Sequence, residues 1–193
     1  SQPFKRELTQ RFTPATIEAI QPDSMCIADT RVTSNERNSS YVVCVMEGEE
    51  IGGKKNCMSI GMVAVECSTG SILQARFDDC AMRMQLESNL QIARPSDLLL
   101  MDSNLSPGTQ RMLETYCQGR HVRVRTFDSA KYALSGASTA IKNHLGGTSV
   151  DAILQLDYLV LQALSHTLDY LDTFGLSKLI QSETQIRQFS DIE

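Results

Sequence analysis

The chain has 193 residues, with 18 Lys and Arg against 23 Asp and Glu, a formal charge of −5 and an isoelectric point near 5.2. That balance argues against an isolated nucleic-acid grip, which carries a basic face, while the length allows one sizeable core and an appendage. The six cysteines (Cys26, Cys44, Cys57, Cys67, Cys80 and Cys117) include no Cys-x-x-Cys pair, so they read as buried thiols of a reducing, intracellular compartment and not as a disulfide framework. No apolar run approaches the roughly twenty residues of a membrane span.

Residues 1–20 (SQPFKRELTQRFTPATIEAI) have no core of their own and read as the end of a preceding element, and residues 22–40 are a polar linker. Ser39–Met46 spells a first strand, and residues 47–56 a charged, glycine-containing loop. Met58–Val65 is apolar and β-branched, Ser68-Thr69-Gly70 supplies a turn, and Ile72–Phe77 returns, which together predict a hairpin. Met82, Leu86, Leu90 and Ala93 then recur at helical spacing, with Arg83, Glu87 and Gln91 on the opposite side. Arg94-Pro95 ends that helix, because proline removes a donor and pushes its predecessor out of the α region. Asp97–Met101 has the unbroken apolar character of a strand buried on both faces.

Ser106 is the expected N-cap of the next helix, Pro107 its first residue and Gly119 its stop. His121–Phe127 alternates Val122 and Val124 with Arg123 and Arg125, the pattern of a half-exposed edge strand. A further helix, capped by Asp128, carries Ala130, Leu134, Ala137, Ile141 and Leu145 at helical spacing, and Gly146-Gly147 marks a boundary. From 149 to 180, apolar residues between Ile153 and Leu171 cover most of a helix circumference. Such a helix needs partners on several sides. It is therefore expected to open a second, incomplete all-α domain and, alone, to associate or fray. Three antiparallel strands followed by alternating helices and parallel strands is the element order of an RNase H-like mixed α/β sheet.

Three stretches invite chemistry. Gly48 to Lys55 nearly spells a phosphate-binding loop, but Lys55 stands where a magnesium-binding hydroxyl belongs and a strand follows. Glu47, Glu87 and Asp102 fall roughly where RNase H-like nucleases keep their metal-binding carboxylates. Glu87, however, lies on the helix side away from the sheet. Arg120, His121, Arg123 and Arg125 form a basic stretch; on an edge strand such charges block strand-to-strand aggregation, and they could also contact a DNA backbone or a partner. A P-loop nucleotide binder and a metal-dependent nuclease are the alternatives in play.

Leu8-Thr9 with Phe12-Thr13-Pro14-Ala15-Thr16 is similar to the exit from the mismatch-binding domain of MutS-type DNA mismatch-repair proteins, with Ala15 in place of a glycine, and the resemblance runs along nearly the whole chain. Tyr41–Val45, Ile60-Gly61-Met62-Val63 with Ser68-Thr69-Gly70, and Arg94-Pro95-Ser96-Asp97-Leu98-Leu99-Leu100 are similar to the family's connector, with Asp97 for a usual glutamate. Gln188-Phe189-Ser190 resembles the approach to the core helices, and the opening Phe4-Lys5-Arg6-Glu7-Leu8-Thr9 with Lys54-Lys55 resembles the third eukaryotic branch, which handles insertion–deletion loops.

The resemblance implies residues 1–20 as the end of a mismatch-binding domain, 21–147 as a connector, and 148–193 as the start of a lever domain. It implies a nuclear, non-catalytic relay. MutL-type proteins would dock on it, for which the helix face of Arg83, Glu87 and Gln91 is the expected surface. Arg120, Arg123 and Arg125 remain the candidate contact for DNA or a partner. The fragment itself would need no cofactor, metal or membrane. ATP, Mg, a second MutS homolog and mismatched or looped duplex DNA would belong to the full-length family member.

Overall fold

The structure, a computed structural model, describes residues 40–52, 56–102, 105–132, 134–145, 150–176, 180 and 186–192. The expected end of a preceding domain, the linker, Lys54-Lys55 and Gly146-Gly147 lie outside the described residues. Among the described residues six strands form one sheet: β1 (Tyr41–Glu50), β2 (Met58–Glu66), β3 (Ile72–Asp79), β4 (Pro95–Met101), β5 (Arg123–Phe127) and β6 (Ile186–Gln188). Their spatial order is β5-β4-β1-β2-β3-β6. β2 runs antiparallel to β1 and β3, whereas β4 lies parallel to β1, β5 to β4, and β6 to β3.

The continuous apolar runs are explained by burial on both faces. Val43 and Val45 face one side with Ile60, Met62, Leu73, Leu98 and Leu100, covered by α1 (Met84–Ala93) and α2 (Pro107–Cys117). Val42, Cys44 and Met46 face the other side with Val63, Val65 and Leu99. That side is covered by α3 (Leu134–His144), the four-residue α4 (Val150–Ile153) and α5 (Tyr158–Asp172). Ser106 caps α2 by accepting from the Thr109 N–H, with Pro107 inside the first turn, as expected. β5 stands at the sheet edge.

Three expectations change. β1 continues past Met46 to Glu50, so Glu47 lies within a strand and not in the following loop. The first helix begins at Met84, and Met82, expected on its apolar side, is exposed. Asp128 is followed by a 3₁₀ turn, Ser129–Tyr132, before α3 begins.

In the tail, the described residues between 150 and 176 form the four-residue α4 and the fifteen-residue α5. α4 ends at Ile153, Asp157 caps α5 by accepting from the Leu159 N–H at 2.9 Å, and α5 lies on the sheet. Val160, Leu161, Ala163, Leu164, Leu168 and Leu171 are buried against β1, β2, α3 and each other. Two glycines make the approach possible. A Cβ on Gly61 would lie 2.5 Å from Leu159 Cβ and 2.6 Å from its carbonyl carbon, and one on Gly48 would strike Ser59 and Leu159. β6 then pairs with β3, and Val150, Ile153, Leu176 and Ile180 join the same apolar cluster.

A polar seam fixes α5 laterally. Asp169 accepts from Lys131 and Tyr132 and meets His144 Nε2 at 3.2 Å, while Gln162 donates to the Tyr132 carbonyl at 2.9 Å. His166 is buried, stacks on Phe127 at 3.9 Å between centroids, and its Nε2 has no partner among the described residues. Burial lowers its pKa to about 4, with Lys131 adding to the effect and Asp169 and Asp128 opposing it.

Gly61→Ala should cost at least about 1–3 kcal/mol, because the added methyl meets backbone that cannot move aside; the urea midpoint checks it. His166 gives a pH signature. The unfolded chain takes up its proton below about pH 6.5, whereas the folded chain refuses it until about 4. Stability should therefore fall by roughly 2 kcal/mol between those values, and His166→Leu should flatten that slope. Asp169 acts below this window. Burial raises its pKa, but the bonds from Lys131 and Tyr132 outweigh that and hold it low, so its contribution persists until more acid pH.

Candidate functional site

The most constrained chemistry lies where β1 and β4 end. Arg83 is fully buried and left-handed, with φ of 50°. Its Nε donates to Thr109 Oγ1 at 2.7 Å, and its Nη2 to Ser106 Oγ at 2.9 Å and Glu47 Oε1 at 3.2 Å. Its Nη1 donates to the carbonyls of Asn56 at 2.8 Å, Asp79 at 3.0 Å and Cys80. Glu47, also buried, accepts further bonds from the Ser106 N–H at 2.7 Å, Ser106 Oγ at 2.6 Å and Thr109 Oγ1 at 2.9 Å. Asp79 Oδ2 caps the first turn of α1 by accepting from the Leu86 N–H at 2.9 Å.

Each partner arrives for a local reason. The extension of β1 carries Glu47 to the end of the sheet, and Ser106 and Thr109 are the cap and first turn of α2. The left-handed residue before α1 turns the Arg83 side chain inward instead of along the helix. With both Glu47 oxygens and all three guanidinium nitrogens engaged, the cluster satisfies itself. This arrangement clamps structure. It offers no open ligand position and no nucleophile.

The expected docking face is therefore divided. Arg83 is inside, while Glu87 and Gln91 are exposed and bonded to each other at 3.2 Å. Met84, Ser88 and Ile92 share that outer surface of α1 at helical spacing; Met84 is 72% and Ile92 40% exposed. Neither methionine nor isoleucine on this surface was anticipated as a contact, although Met84-x-x-Glu87-x-x-x-Gln91 carries the helical period.

The basic residues also separate. Arg120 folds back on α2, donating to the Tyr116 carbonyl at 2.7 Å and lying over the Tyr116 ring. Arg123 approaches buried Asp97 at 4.0 Å, and Arg125 lines a cavity with Asp128, Asp169 and Asp172. They form no single basic stripe. The carboxylates weighed for metal chemistry are likewise scattered, with Glu47 buried in the clamp and Glu87 and Asp102 exposed. Among the described residues no group of three or more His, Cys, Asp or Glu is placed to hold a metal ion. Of the Gly48–Lys55 stretch, Gly48 to Glu50 belong to β1 and residues 53–55 lie outside the described residues; the next described element is β2.

A mixed sheet covered on both faces, with a self-satisfied polar clamp at one end, defines a structural module. Residues 40–182 match the family described as MutS domain II, and the chain belongs to the MutS family. Its relatives include the "DNA mismatch repair protein Msh3" of Mus musculus and of Homo sapiens. Each is 27% identical over 205 residues and covers 97% of this chain, but this corresponds to 19% and 18% of those proteins. The "DNA mismatch repair protein msh3" of Aspergillus oryzae is 24% identical over 210 residues, again covering 97% of this chain and 19% of that protein. The chain thus spans about a fifth of the length of these relatives. A solved HTLV-2 integrase catalytic core domain overlaps 66% of this chain and 82% of its own at a TM-score of 0.29 and 14% identity, too slight to bear on function.

Breaking the clamp on one side leaves a charge buried without its partner. Arg83→Met and Glu47→Gln should each cost about 3–5 kcal/mol, whereas exposed Glu87→Ala should stay within about 0.5 kcal/mol. Chemical denaturation of the three variants checks the contrast. Arg83→Lys should rescue little, since an ammonium cannot reproduce the planar fork.

Proposed function

We propose that this chain is the connector of a mismatch-repair MutS homolog of the Msh3 type: an RNase H-like module, without chemistry of its own, that relays between mismatch-binding and ATPase domains and docks a MutL-type partner. The match of MutS domain II across 40–182 carries the reading. The strand order β5-β4-β1-β2-β3, with only β2 reversed among these five, supports the RNase H-like assignment. The clamp supports a non-catalytic role, because the Glu47 carboxylate of β1 is committed to Arg83, Ser106 and Thr109. A relay needs a body that moves without deforming, and buried, fully bonded polar groups favour one packing over its neighbours.

In this reading ATP and Mg, the second MutS homolog of a heterodimer, and mismatched or looped duplex DNA are engaged by other parts of the longer protein, in the nucleus. The segments 1–20 and 148–193 would be, respectively, the end of the mismatch-binding domain and the passage into the lever. Docking is assigned to the outer face of α1, where Met84 and Ile92 flank Glu87 and Gln91. Exposed methionine adapts to a partner surface at little cost, and the polar pair supplies direction.

The test uses the full-length protein on heteroduplex DNA. Met84→Asp with Glu87→Lys should weaken recruitment of the MutL-type partner by at least about tenfold, close to 1.4 kcal/mol, and leave DNA affinity and ATP turnover unchanged. Unchanged recruitment would remove α1 as the docking face. Loss of DNA binding and recruitment together would instead point to damage of the relay.

A further inference from the structure

We propose that Cys57 and Cys80 form a peroxide-sensitive dithiol that closes to a disulfide at the clamp end of the β2–β3 hairpin. The register pairs Met58 with Asp79, so the next pair outward is Cys57 opposite Cys80. Their sulfurs lie 2.9 Å apart. Directly opposed residues of an antiparallel pair have Cα atoms about 4.5–5.5 Å apart, inside the roughly 4.4–6.8 Å that a disulfide spans. Closure therefore asks for little movement of the backbone.

Exposure divides the labour. Cys80 is exposed and Cys57 is buried beneath it, so an oxidant in solution meets Cys80 first. The Cys80 thiolate attacks one oxygen of a hydroperoxide; an S–O bond forms, the O–O bond breaks, and the leaving oxygen departs protonated as water or an alcohol. Sulfur of Cys57 then attacks the sulfenic sulfur of Cys80. The S–S bond forms, the S–O bond breaks, and hydroxide leaves with the Cys57 proton as water. Two thiols and one peroxide become one disulfide, one water and one water or alcohol.

No other described cysteine offers this arrangement. Cys44 is enclosed in the core, where burial pushes its pKa up, and Cys67 is buried under the hairpin turn. Cys117 is half-buried on α2, with its pKa raised by burial. The position of the pair gives the modification a consequence. Arg83 Nη1 donates both to the Cys80 carbonyl and to the carbonyl of Asn56, the neighbour of Cys57. A disulfide would add a covalent tie between the two backbone segments that this guanidinium already holds together.

The protein carrying this chain would be treated with hydrogen peroxide while native, alkylated with N-ethylmaleimide, and digested for mass analysis. The expected product joins the Cys57 and Cys80 peptides, is lighter by two hydrogens, and reverts with a thiol reductant. Cys80→Ser, a change at an exposed position, should abolish it without altering the fold. Cys57→Ser should leave Cys80 as a sulfenic acid that dimedone traps, and several-fold more label should accumulate than in the parent protein. Phenylarsine oxide, which bridges paired thiols, should protect both cysteines from alkylation in the reduced protein. The proposal is overturned if both cysteines remain alkylatable after peroxide, or if Cys80 oxidises to sulfinic acid with Cys57 untouched. A disulfide that joins either cysteine to Cys26, Cys67 or Cys117 instead would also overturn it.

Discussion

The structure depends on an ion pair that water does not reach. Glu47 and Arg83 meet at 3.2 Å with both side chains essentially buried, a costly arrangement unless every donor and acceptor finds a partner. Here they do, and the demand propagates. Glu47 must stand within β1, Ser106 and Thr109 must begin a helix beside it, and Arg83 must adopt a left-handed backbone to aim inward. A residue held in that conformation costs on the order of 1 kcal/mol and persists only where its surroundings over-determine it. Six acceptors around one guanidinium do so. The pair contributes less to stability than to choice of structure, since a shifted register or helix start would strand a charge in the core.

The second constraint is the close approach of α5 to the sheet. Gly48 and Gly61 lie on neighbouring strands and leave a hollow that Leu159 fills, which lets the helix backbone come closer than any side chain would permit. The apolar circumference of α5 is then covered by the sheet below and α3 beside it. Its buried polar residues turn inward usefully: Gln162 and Ser165 bond the carbonyls of Tyr132 and Ala137. The two faces of the sheet are thus closed by different means, one by α1 and α2 around a charged clamp, the other by an apolar helix on glycine.

Much of this could be read in the residues. The strands announced themselves because burial on both faces demands unbroken apolar runs, as in Val42 to Met46 and Leu98 to Met101. Ser106-Pro107 and Arg94-Pro95 marked helix ends through local backbone chemistry, and that chemistry does not depend on the rest of the fold. Arg83 was misjudged because a helical wheel places it on the polar side of a helix whose start was set two residues too early. Its true partner lies 36 residues away, and no local pattern encodes that distance. The tail meets a similar limit. The all-round apolarity of α5 signals a need for several partners, and nothing local says that the sheet and α3 cover part of it. Gly61 was noticed as part of a motif, and its physical purpose, room for Leu159, appears only in three dimensions.

These two constraints together bear on how a load applied at one side of the module would travel. The inner side of α1 is pinned at its start by Arg83 and Asp79 and along its length by Leu86, Leu90 and Ala93, so this helix cannot tilt without breaking buried bonds. Close-packed interiors have low compressibility and transmit strain. Its outer side carries Met84 and Ile92 in water, where a partner can form contacts with no cost to the core. A contact made there would reach β1 through Glu47 and, across the sheet, α5 through the glycine hollow. The same helix can thus be adaptable toward solvent and immovable toward the sheet. Under the proposed reading that combination is what docking and relay require of one element, and its immovable half rests on Arg83.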